Sequence, residues 1–472
     1  MKKWIAFLLL ISLALSGCTP AVTLPETTAS TEPAVTEPVW EGYSGTSKDY
    51  IYLHTEERDH NWEEDILYFG GAYLDNYGLL THFPSRVEYI DDVEYEDYLY
   101  DPAMRDTFIE EINALIPRIP ELNDTEILYE LQRIVSLLHD AHASLVIDTG
   151  TYFPICFEPF YEEDEWVYRV SFILDGNEET IMCTLSGVNG IPVDEVVQRI
   201  TPYLSYENEQ WIIHQISGYY HPGSIAEAEL LRVCGILGPE DQEATYNLIT
   251  ETGESMDVTL RSFNIDQIAH LEMEGMPHLF VYPNIYRLYE TNYFYEMHPE
   301  DNMVYVRVNE FEIMPDYTFL DLGNEIIKDV REAGGMEKII VDLRRNPGGY
   351  QFLGYPEFIR ALERIEIEEI YVLVDQGTFS CAILMADHIK YYFPEAIIIG
   401  TPAGQPPNFY AGMWPEDGVM PNCQVECRVP TAFHNIFPDY QYDALMPDLI
   451  VYPTYSDYMA GIDTILEAAK AQ

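Results

Sequence analysis

The sequence predicts an α/β fold for the C-terminal part of the chain, residues 301–472. Short apolar runs that are typical of buried strands alternate there with segments of helical periodicity. Glycine pairs such as Gly334-Gly335 and Gly348-Gly349 mark turns between these segments. The strands are apolar along their whole length, which is typical of a largely parallel sheet covered by helices.

The predicted elements of this region follow one another in a regular alternation. In chain order they are a strand over 303–308, a helix over 319–330, a strand over 338–343, a helix over 356–365, a strand over 369–375, a helix over 380–392 and a strand over 396–400. Ligands of such folds gather beyond the carboxyl ends of the strands, where loops lead into helix N-termini. The turns over 344–349 and 376–380 are therefore the first places to look for a site.

The region from 49 to 150 is predicted to be mainly helical. A helix with a candidate N-cap at Asn123 carries apolar residues at helical spacing up to Leu138, and a strand is predicted to start at Leu145. His139 and His142 therefore lie at a helix-to-strand junction, where side chains can reach a cleft.

Residues 151–300 alternate short apolar runs with turns in their first part. The stretch GVNGIPVDEVVQRI, residues 187–200, predicts a strand, an Asn-Gly turn and a helix that begins near Val193. The pattern predicts no architecture for residues 206–300.

The N-terminus has the pattern of an exported, lipid-anchored protein. Two lysines precede an apolar stretch from Trp4 to Leu15, and small residues stand directly before Cys18, as in the lipobox of bacterial lipoprotein signal peptides. The stretch is shorter than the ~20 residues that span a bilayer. We expect residues 1–18 to be a lipoprotein signal peptide with Cys18 as the lipidated residue, and the Thr-, Pro- and Glu-rich residues 19–48 to be a disordered stalk. The protein would then be anchored on the extracytoplasmic side of the membrane, in the bacterial cell envelope.

Composition excludes several classes of partner. The chain has 81 acidic and 24 basic residues, and its net charge of -57 would repel a nucleic-acid backbone. No HExxH, Walker, dinucleotide-binding or GxSxG motif occurs, so neither a metal nor a cofactor is predicted. The six cysteines after Cys18 are scattered, without a CxxC pair, and are predicted to be buried free thiols.

Ser380 stands between a predicted core strand and the first turn of a predicted helix. Unsatisfied amides and the positive end of the helix dipole stabilise an alkoxide or an oxyanion at such a position. The amide of Cys381 is one candidate oxyanion donor, and that of Gly348 or Gly349 is the second. This combination favours acyl transfer. Serine is also a favoured helix N-cap, so a purely structural role for Ser380 stays open here.

Four motifs in order along the chain resemble one known family. LHDAHASLVI, KIIVDLRRNPGG, LVDQGTFSCAILMADHIK and IIIGTPAGQPPNFYAG together look like the tail-specific, or C-terminal processing, protease family of S41-type serine peptidases. The likeness covers about 303–455, and residues 187–200 resemble the family's PDZ-like substrate-binding segment. The resemblance implies a crotonase-like α/β peptidase core over 301–472, a PDZ-like and connecting region over 151–300, and an N-terminal helical region over 49–150 that contributes a histidine.

Matched residue by residue, the resemblance implies that Ser380 is the nucleophile. It implies that the amides of Cys381 and of Gly348-Gly349 form the oxyanion hole, and that His142 is the general base, as in a tricorn-like histidine variant of the family.

The chain also departs from the family pattern. Many members carry a lysine roughly 25 residues after the serine, but Lys390 lies too far along the same helix and Lys470 stands at the tail. The glutamate that often follows the PN.Y stretch is replaced by Gly412, which leaves Asp140 as the possible orienting acid. His139 is the alternative candidate to His142 for the general base.

Together with the export signal, the resemblance implies an extracytoplasmic serine endopeptidase that hydrolyses polypeptides through an acyl-enzyme on Ser380, with His142 as base. Two alternatives stay open. One is a non-catalytic ligand- or peptide-binding lipoprotein on the same fold, because the lysine and the glutamate are missing. The other is an acyl-CoA enzyme, which shares the fold outline but fits poorly with export. The sequence predicts neither the physiological substrate nor the oligomeric state.

Overall fold

A computed structural model describes residues 57–88, 94–147, 150–173, 180–218, 222–264, 291–312, 314–349, 354–365, 367–413 and 418–472. Within these ranges the α-helices are α1 (Arg58–Asn76), α2 (Pro102–Leu115), α3 (Asp124–Ser136), α4 (Val193–Ile200), α5 (Glu209–Ser217), α6 (Ala228–Val233), α7 (Phe319–Ala333), α8 (Tyr355–Leu362), α9 (Cys381–Tyr392), α10 (Tyr455–Met459) and α11 (Thr464–Lys470). The predicted signal peptide, Cys18 and the predicted stalk lie outside the described residues.

The strands are β1 (Ser85–Glu88), β2 (Glu94–Asp97), β3 (Ser144–Leu145), β4 (Thr151–Tyr152), β5 (Glu158–Glu162), β6 (Glu165–Ile173), β7 (Thr180–Val188), β8 (Ile191–Pro192), β9 (Glu243–Thr250), β10 (Ser255–Arg261), β11 (Phe263–Asn264), β12 (Tyr293–His298), β13 (Met303–Val308), β14 (Lys338–Asp342), β15 (Glu369–Val374), β16 (Ile397–Gly400), β17 (Asn408–Met413), β18 (Cys427–Arg428), β19 (Pro430–Asn435) and β20 (Leu449–Ile450). The mixture of helices and several sheets confirms the predicted α/β class.

The largest core surrounds a sheet in the C-terminal region. Its strand order is β12-β13-β14-β15-β16-β20, with β12 antiparallel to β13 and every other pair parallel. Successive residues of β13 alternate between two apolar clusters, so both faces of the sheet are buried. Helices α7, α8 and α9 pack on one face, and α11 on the other.

The predicted elements of this region are confirmed with small shifts at their ends. Helix α7 extends three residues beyond the predicted end, because Gly334 adopts a left-handed conformation and stops it there. Helix α8 ends at Leu362, three residues before the predicted end at residue 365. Helix α9 starts at Cys381, with Ser380 in the N-cap position.

A second sheet has the order β10-β9-β7-β6-β5 and is antiparallel throughout. The predicted Asn-Gly turn is present: Asn189 and Gly190 both have positive φ, as a tight hairpin turn requires, and α4 begins at Val193 as predicted. Glu158 on β5 joins this sheet to the large one through a buried ion pair with Arg345.

The N-terminal helices α1, α2 and α3 share an apolar core with the segment around 420–429. Strands also link the two regions. Strand β1 pairs in parallel with β19, and β3 pairs with β18, so the described residues from 57 to 147 are interwoven with the chain after 408. None of the described helices combines the length and the apolar character that crossing a bilayer requires.

The six cysteines predicted to be free thiols form no disulfide among the described residues. Their predicted burial holds for four of them. Cys156 and Cys234 are instead partly exposed.

One buried acid on α9 leads to a prediction about stability. The Asp387 side chain is fully buried, and neither carboxylate oxygen has a hydrogen-bond partner among the described residues. Burial raises the pKa of Asp387 well above its usual value. A folded-state pKa above the unfolded one gives stability that is present at low pH and lost as pH rises through the folded pKa.

We therefore expect Asp387→Asn, which keeps the shape but cannot ionise, to gain stability over the wild type as pH rises. The gain should be about 1.4 kcal/mol for each pH unit between the unfolded and folded pKa values. Urea unfolding at pH 5, 7 and 9 measures it, with the exposed Asp439→Asn as control. Parallel stability curves for wild type and Asp387→Asn would contradict the prediction.

Candidate active site

Ser380 lies in a tight turn between β15 and α9. Its backbone has φ 55° and ψ -120°, a conformation that is strained for any residue with a Cβ atom. The turn is held by its neighbours: the amide of Phe379 donates to the carbonyl of Asn346 at 3.0 Å, and Thr378 Oγ1 donates to the carbonyl of Leu343 at 3.0 Å.

The Ser380 hydroxyl does not cap the helix that follows it. It accepts no hydrogen bond from the first-turn amides of α9, all of which belong to the described part of the chain. The side chain is partly exposed, so it faces neither a sealed interior nor open solvent. Ser380 therefore occupies the N-cap position without a side-chain cap, and capping does not account for its hydroxyl.

His142 reaches Ser380 from the other end of the chain. Its Nε2 lies 2.9 Å from Oγ of Ser380, although 238 residues separate them in sequence. The amide of His142 donates to Oδ1 of Asp140 at 2.8 Å, which fixes the backbone just before β3. His139, the rival histidine, is exposed and packs edge-on against Tyr206 instead.

Aromatic rings hold the His142 imidazole in place. Phe379 stacks on it with ring centroids 4.7 Å apart, and Phe409 stacks on it at 5.5 Å with planes only 8° apart. Trp211 continues the stack on Phe379 at 4.0 Å, and His214 continues it on Trp211 at 4.7 Å. These stacking contacts restrict rotation of the imidazole ring and keep Nε2 directed at Ser380.

Gln405 contacts both Ser380 and His142. Its Oε1 accepts a hydrogen bond from the amide of Ser380 at 2.9 Å, and its Nε2 lies 3.2 Å from Nδ1 of His142. The same Nε2 donates to Oε1 of Glu207 at 2.6 Å. Gln405 stands 25 residues after Ser380, where the family resemblance leads one to expect a lysine.

Hydrogen bonds hold the segments of Glu207 and Gln405 together, although both residues lie outside helices and strands. Gln405 is fully buried, and its carbonyl accepts from the amide of Leu445 at 2.8 Å. Asn208, next to Glu207, donates to the carbonyl of Ala403 at 3.1 Å and so ties the two segments together.

Burial dominates the electrostatics of this cluster. It lowers the pKa of His142 to about 3, with smaller contributions in the same direction from His434 and Arg428, so the ring is uncharged at neutral pH. It raises the pKa of Asp140 to about 7. Burial, followed by repulsion from Asp140, raises the pKa of Glu207 well above its usual value. One neutral imidazole thus faces two carboxyl groups of raised pKa.

Two backbone amides are candidates for an anion site at the Ser380 turn. Cys381 is the first residue of α9, and neither its amide nor that of Gly349 donates to any residue that the structure describes. The amide of Gly348, by contrast, donates to Oδ1 of Asn346 at 2.8 Å. Of the two glycines predicted as oxyanion donors, Gly349 therefore keeps an available amide, and Gly348 does not.

Gly348 contributes through its lack of a side chain. A methyl group added there would lie 2.6 Å from Cβ of Ser380 and 2.9 Å from N of Cys381. Its φ of 96° also favours glycine. The Ser380 turn therefore packs directly against the backbone of Gly348, with no room for a side chain between them.

Donor atoms of Asp140, His142 and Glu207 all lie within 4.8 Å of one another, so this group could hold a divalent cation. The NH₂ group of Gln405 is already hydrogen-bonded to Oε1 of Glu207 and lies 3.2 Å from Nδ1 of His142. Because an N–H donor carries partial positive charge, it would repel a cation bound to these two atoms. The arrangement therefore fits a hydrogen-bonded network better than a metal site.

The other basic candidates are occupied elsewhere. His388 Nδ1 lies 3.0 Å from the hydroxyl of Tyr355, and His434 Nδ1 lies 3.3 Å from Glu88. Lys390 donates to Asp448 at 2.8 Å.

Comparison with known proteins gives a fold but no close relative. No protein-family model matches the chain, and no curated protein is significantly similar to it. Among solved structures, mature CPAF aligns with a TM-score of 0.51 and 12% identity over 87% of this chain and 96% of its own. CPAF complexed with lactacystin aligns with a TM-score of 0.51 and 13% identity over 87% of this chain and 98% of its own.

The photosystem II D1 C-terminal processing protease also aligns, with a TM-score of 0.35 and 11% identity over 87% of this chain and 96% of its own. At these identities, what the solved structures share with this protein is its architecture. The resemblance predicted from the sequence motifs is confirmed at the level of the fold, which this chain shares with CPAF.

Proposed function

We propose that the protein is a serine endopeptidase in which Ser380 is the nucleophile and His142 the general base. The observation that carries the proposal is the 2.9 Å approach of His142 Nε2 to Ser380 Oγ at a partly exposed helix N-terminus. The shared fold with S41-type proteases supports the same class of reaction. In this proposal, residues 301–472 are the crotonase-like peptidase core.

The chemistry follows from the positions of the groups. Oγ of Ser380 attacks the scissile carbonyl as His142 Nε2 removes its proton. The negative charge that develops on the carbonyl oxygen is stabilised by the amides of Cys381 and Gly349 and by the N-terminus of α9. His142 then gives the proton to the leaving amine. Water activated by His142 hydrolyses the acyl-enzyme and frees the second fragment.

In this proposal, the second sheet binds the polypeptide substrate. The antiparallel sheet of β5 to β10 with helix α4 would act as a PDZ-like module, which captures an extended chain by strand addition. The buried pair of Glu158 and Arg345 supports a fixed distance between this module and the turn that precedes Gly348.

We test the chemistry with a serine-directed fluorophosphonate. Wild-type protein should be labelled at one residue, and Ser380→Ala should abolish the label. His142→Ala should slow labelling by about 10³-fold or more, because the hydroxyl loses its base. Mass spectrometry of the labelled peptide and the rate of label incorporation measure both effects.

Two matched controls accompany this experiment. Ser456→Ala removes an exposed hydroxyl, and His139→Ala removes the rival histidine; both should label at the wild-type rate. Labelling that persists in Ser380→Ala, or no Ser380-dependent labelling at all, would favour the non-catalytic binding protein.

The close contact under the nucleophile gives a second test. Gly348→Ala should reduce the labelling rate at least about 10²-fold, because the added methyl group displaces Ser380 from the amides. Gly334→Ala is the matched control: its φ of 87° is equally left-handed, but no atom lies within 4 Å of the new methyl group. Equal labelling rates in the two variants would contradict the proposed geometry.

Localisation is a separate part of the proposal. The lipobox pattern before Cys18 supports cleavage there, lipid attachment to its thiol, and a stalk over 19–48 that holds the enzyme outside the cytoplasmic membrane.

In a bacterial host, Cys18→Ala should lose incorporated radioactive palmitate and leave the membrane fraction. Cys234→Ala, which alters a thiol in the folded domain, should behave as wild type. Lipid label on Cys18→Ala would show that the anchor lies elsewhere.

A further inference from the structure

The orientation of the Gln405 amide is fixed by the backbone of the nucleophile. A main-chain N–H can only donate, so the amide of Ser380 requires the oxygen of Gln405 to face it, at 2.9 Å. The NH₂ group of Gln405 must then face Nδ1 of His142 and Oε1 of Glu207. Its two hydrogens match these two acceptors.

This orientation determines the tautomer of His142. If Nδ1 accepts a hydrogen from Gln405, the single hydrogen of the neutral ring must be on Nε2. Nε2–H then donates to Oγ of Ser380 across 2.9 Å. A general base needs the opposite arrangement, with hydrogen on Nδ1 and a lone pair on Nε2 facing the hydroxyl.

The same cluster holds acceptors for an Nδ1 hydrogen. A ring nitrogen of His142 and carboxylate oxygens of Asp140 and Glu207 lie within 4.8 Å of one another. Oδ2 of Asp140 and Oε2 of Glu207 are both buried and meet no donor within ordinary hydrogen-bond geometry, although the hydroxyl of Tyr77 acts on Asp140 and the amide of Ala141 acts on Glu207. A hydrogen on Nδ1 would give the Glu207 carboxyl group a donor inside the cluster.

We propose that Gln405 is a positioning residue that holds His142 in a resting tautomer, and that Glu207 accepts the Nδ1 hydrogen in the active one. The proposal rests on the proposed function of Ser380 and His142. In the exchange, a water molecule at the partly exposed Ser380 turn takes the proton from Nε2 and water returns one to Nδ1, so the ring stays neutral and the solvent gains no net proton. The Ser380 hydroxyl keeps its own proton and rotates to donate to Nε2. The Gln405 side chain withdraws from Nδ1, and Glu207 takes its place.

Glu207 is better placed for this role than Asp140. The carboxylate of Asp140 is already engaged in fixing the His142 backbone through its Oδ1, at 2.8 Å from the amide. Glu207 is the group to which Gln405 is already bonded, so breaking that bond frees its Oε1 as well as its Oε2. The positive and titratable neighbours that also act on the ring are His434 and Arg428, and both oppose a charged imidazole.

The sharpest test exchanges the two side chains. In the double variant Glu207→Gln/Gln405→Glu, the new carboxylate at position 405 would accept hydrogen bonds from the Ser380 amide, from Nδ1–H and from the new amide at position 207. The net charge stays the same. The exposed pair Glu240→Gln/Gln242→Glu makes the same exchange away from the site and serves as control.

Nitrogen-15 NMR of histidine-labelled protein reads the tautomer directly, independently of activity. The chain has 12 histidines, and a His142→Ala spectrum identifies the signal of interest. We expect Nε2–H in the wild type and in the control, and Nδ1–H in the double variant. The rate of fluorophosphonate labelling at Ser380 should rise at least about tenfold in the double variant, since the wrong tautomer can lower turnover by about 10⁴.

The outcomes separate the two proposals. Nδ1–H in the wild type, or an inverted tautomer without faster labelling in a protein that does label at Ser380, would overturn the role of Gln405. An inverted tautomer with no labelling at Ser380 in either protein would support the hydrogen-bond assignment and refute the peptidase. Should the double variant not fold, the wild-type spectrum still decides, and Gln405→Leu should lose the preference for Nε2–H.

Discussion

The pairing of short strands from opposite ends of the chain is the constraint on which the candidate site depends. Strand β3 begins two residues after His142, and its Ser144 and Leu145 pair with Arg428 and Cys427 of β18. The hydroxyl of Tyr73 on α1 donates to the carbonyl of Arg428 at 2.8 Å and secures the same junction. Without these pairings, the imidazole would have no fixed position relative to a serine 238 residues away.

Buried charge stiffens the other half of the site. Asp342, at the end of β14, contacts Arg307 at 2.7 Å and Arg344 at 2.6 Å, and all three side chains are buried. Burial alone would raise the pKa of Asp342, but the two guanidinium groups hold it well below its usual range. Arg345 extends the network to Glu158 and lies 3.4 Å from Asp375. Such pairs add little net stability, but breaking one is costly, so they oppose displacement of Arg344 and Arg345 at the start of the 344–349 turn.

The sequence was most informative where local pattern and chemistry coincide. The alternation of apolar strands and helices predicted the large sheet, and a hydroxyl between a strand and a helix singled out Ser380. The helix-to-strand junction placed His139 and His142 near a cleft, the family resemblance selected His142, and Asp140 was a candidate because it lies two residues before it. Gln405 and Glu207 were not found. An amide in an irregular loop and one acid among 81 Asp and Glu residues carry no periodicity, and only the tertiary fold brings them to His142.

The aromatic neighbours were missed for a related reason. Phe379, Phe409 and Trp211 have the composition of ordinary core residues, and nothing in their spacing distinguishes a ring that stacks on an imidazole from one that fills space. The motif predicts the amide of Gly348 as a possible oxyanion donor, but in the folded chain that amide donates to Oδ1 of Asn346. Hydrogen-bond saturation is a property of the folded chain and cannot be read from a motif.

The left-handed backbone of Ser380 has a thermodynamic consequence for the choice between an enzyme and a carrier. A residue with a Cβ atom at φ 55° and ψ -120° carries about 1–3 kcal/mol of conformational strain that glycine would relieve. A scaffold used only to hold ligands would become more robust by discarding the serine. Under the proposed function, this conformational cost is the consequence of placing a reactive hydroxyl group at the N-terminus of α9.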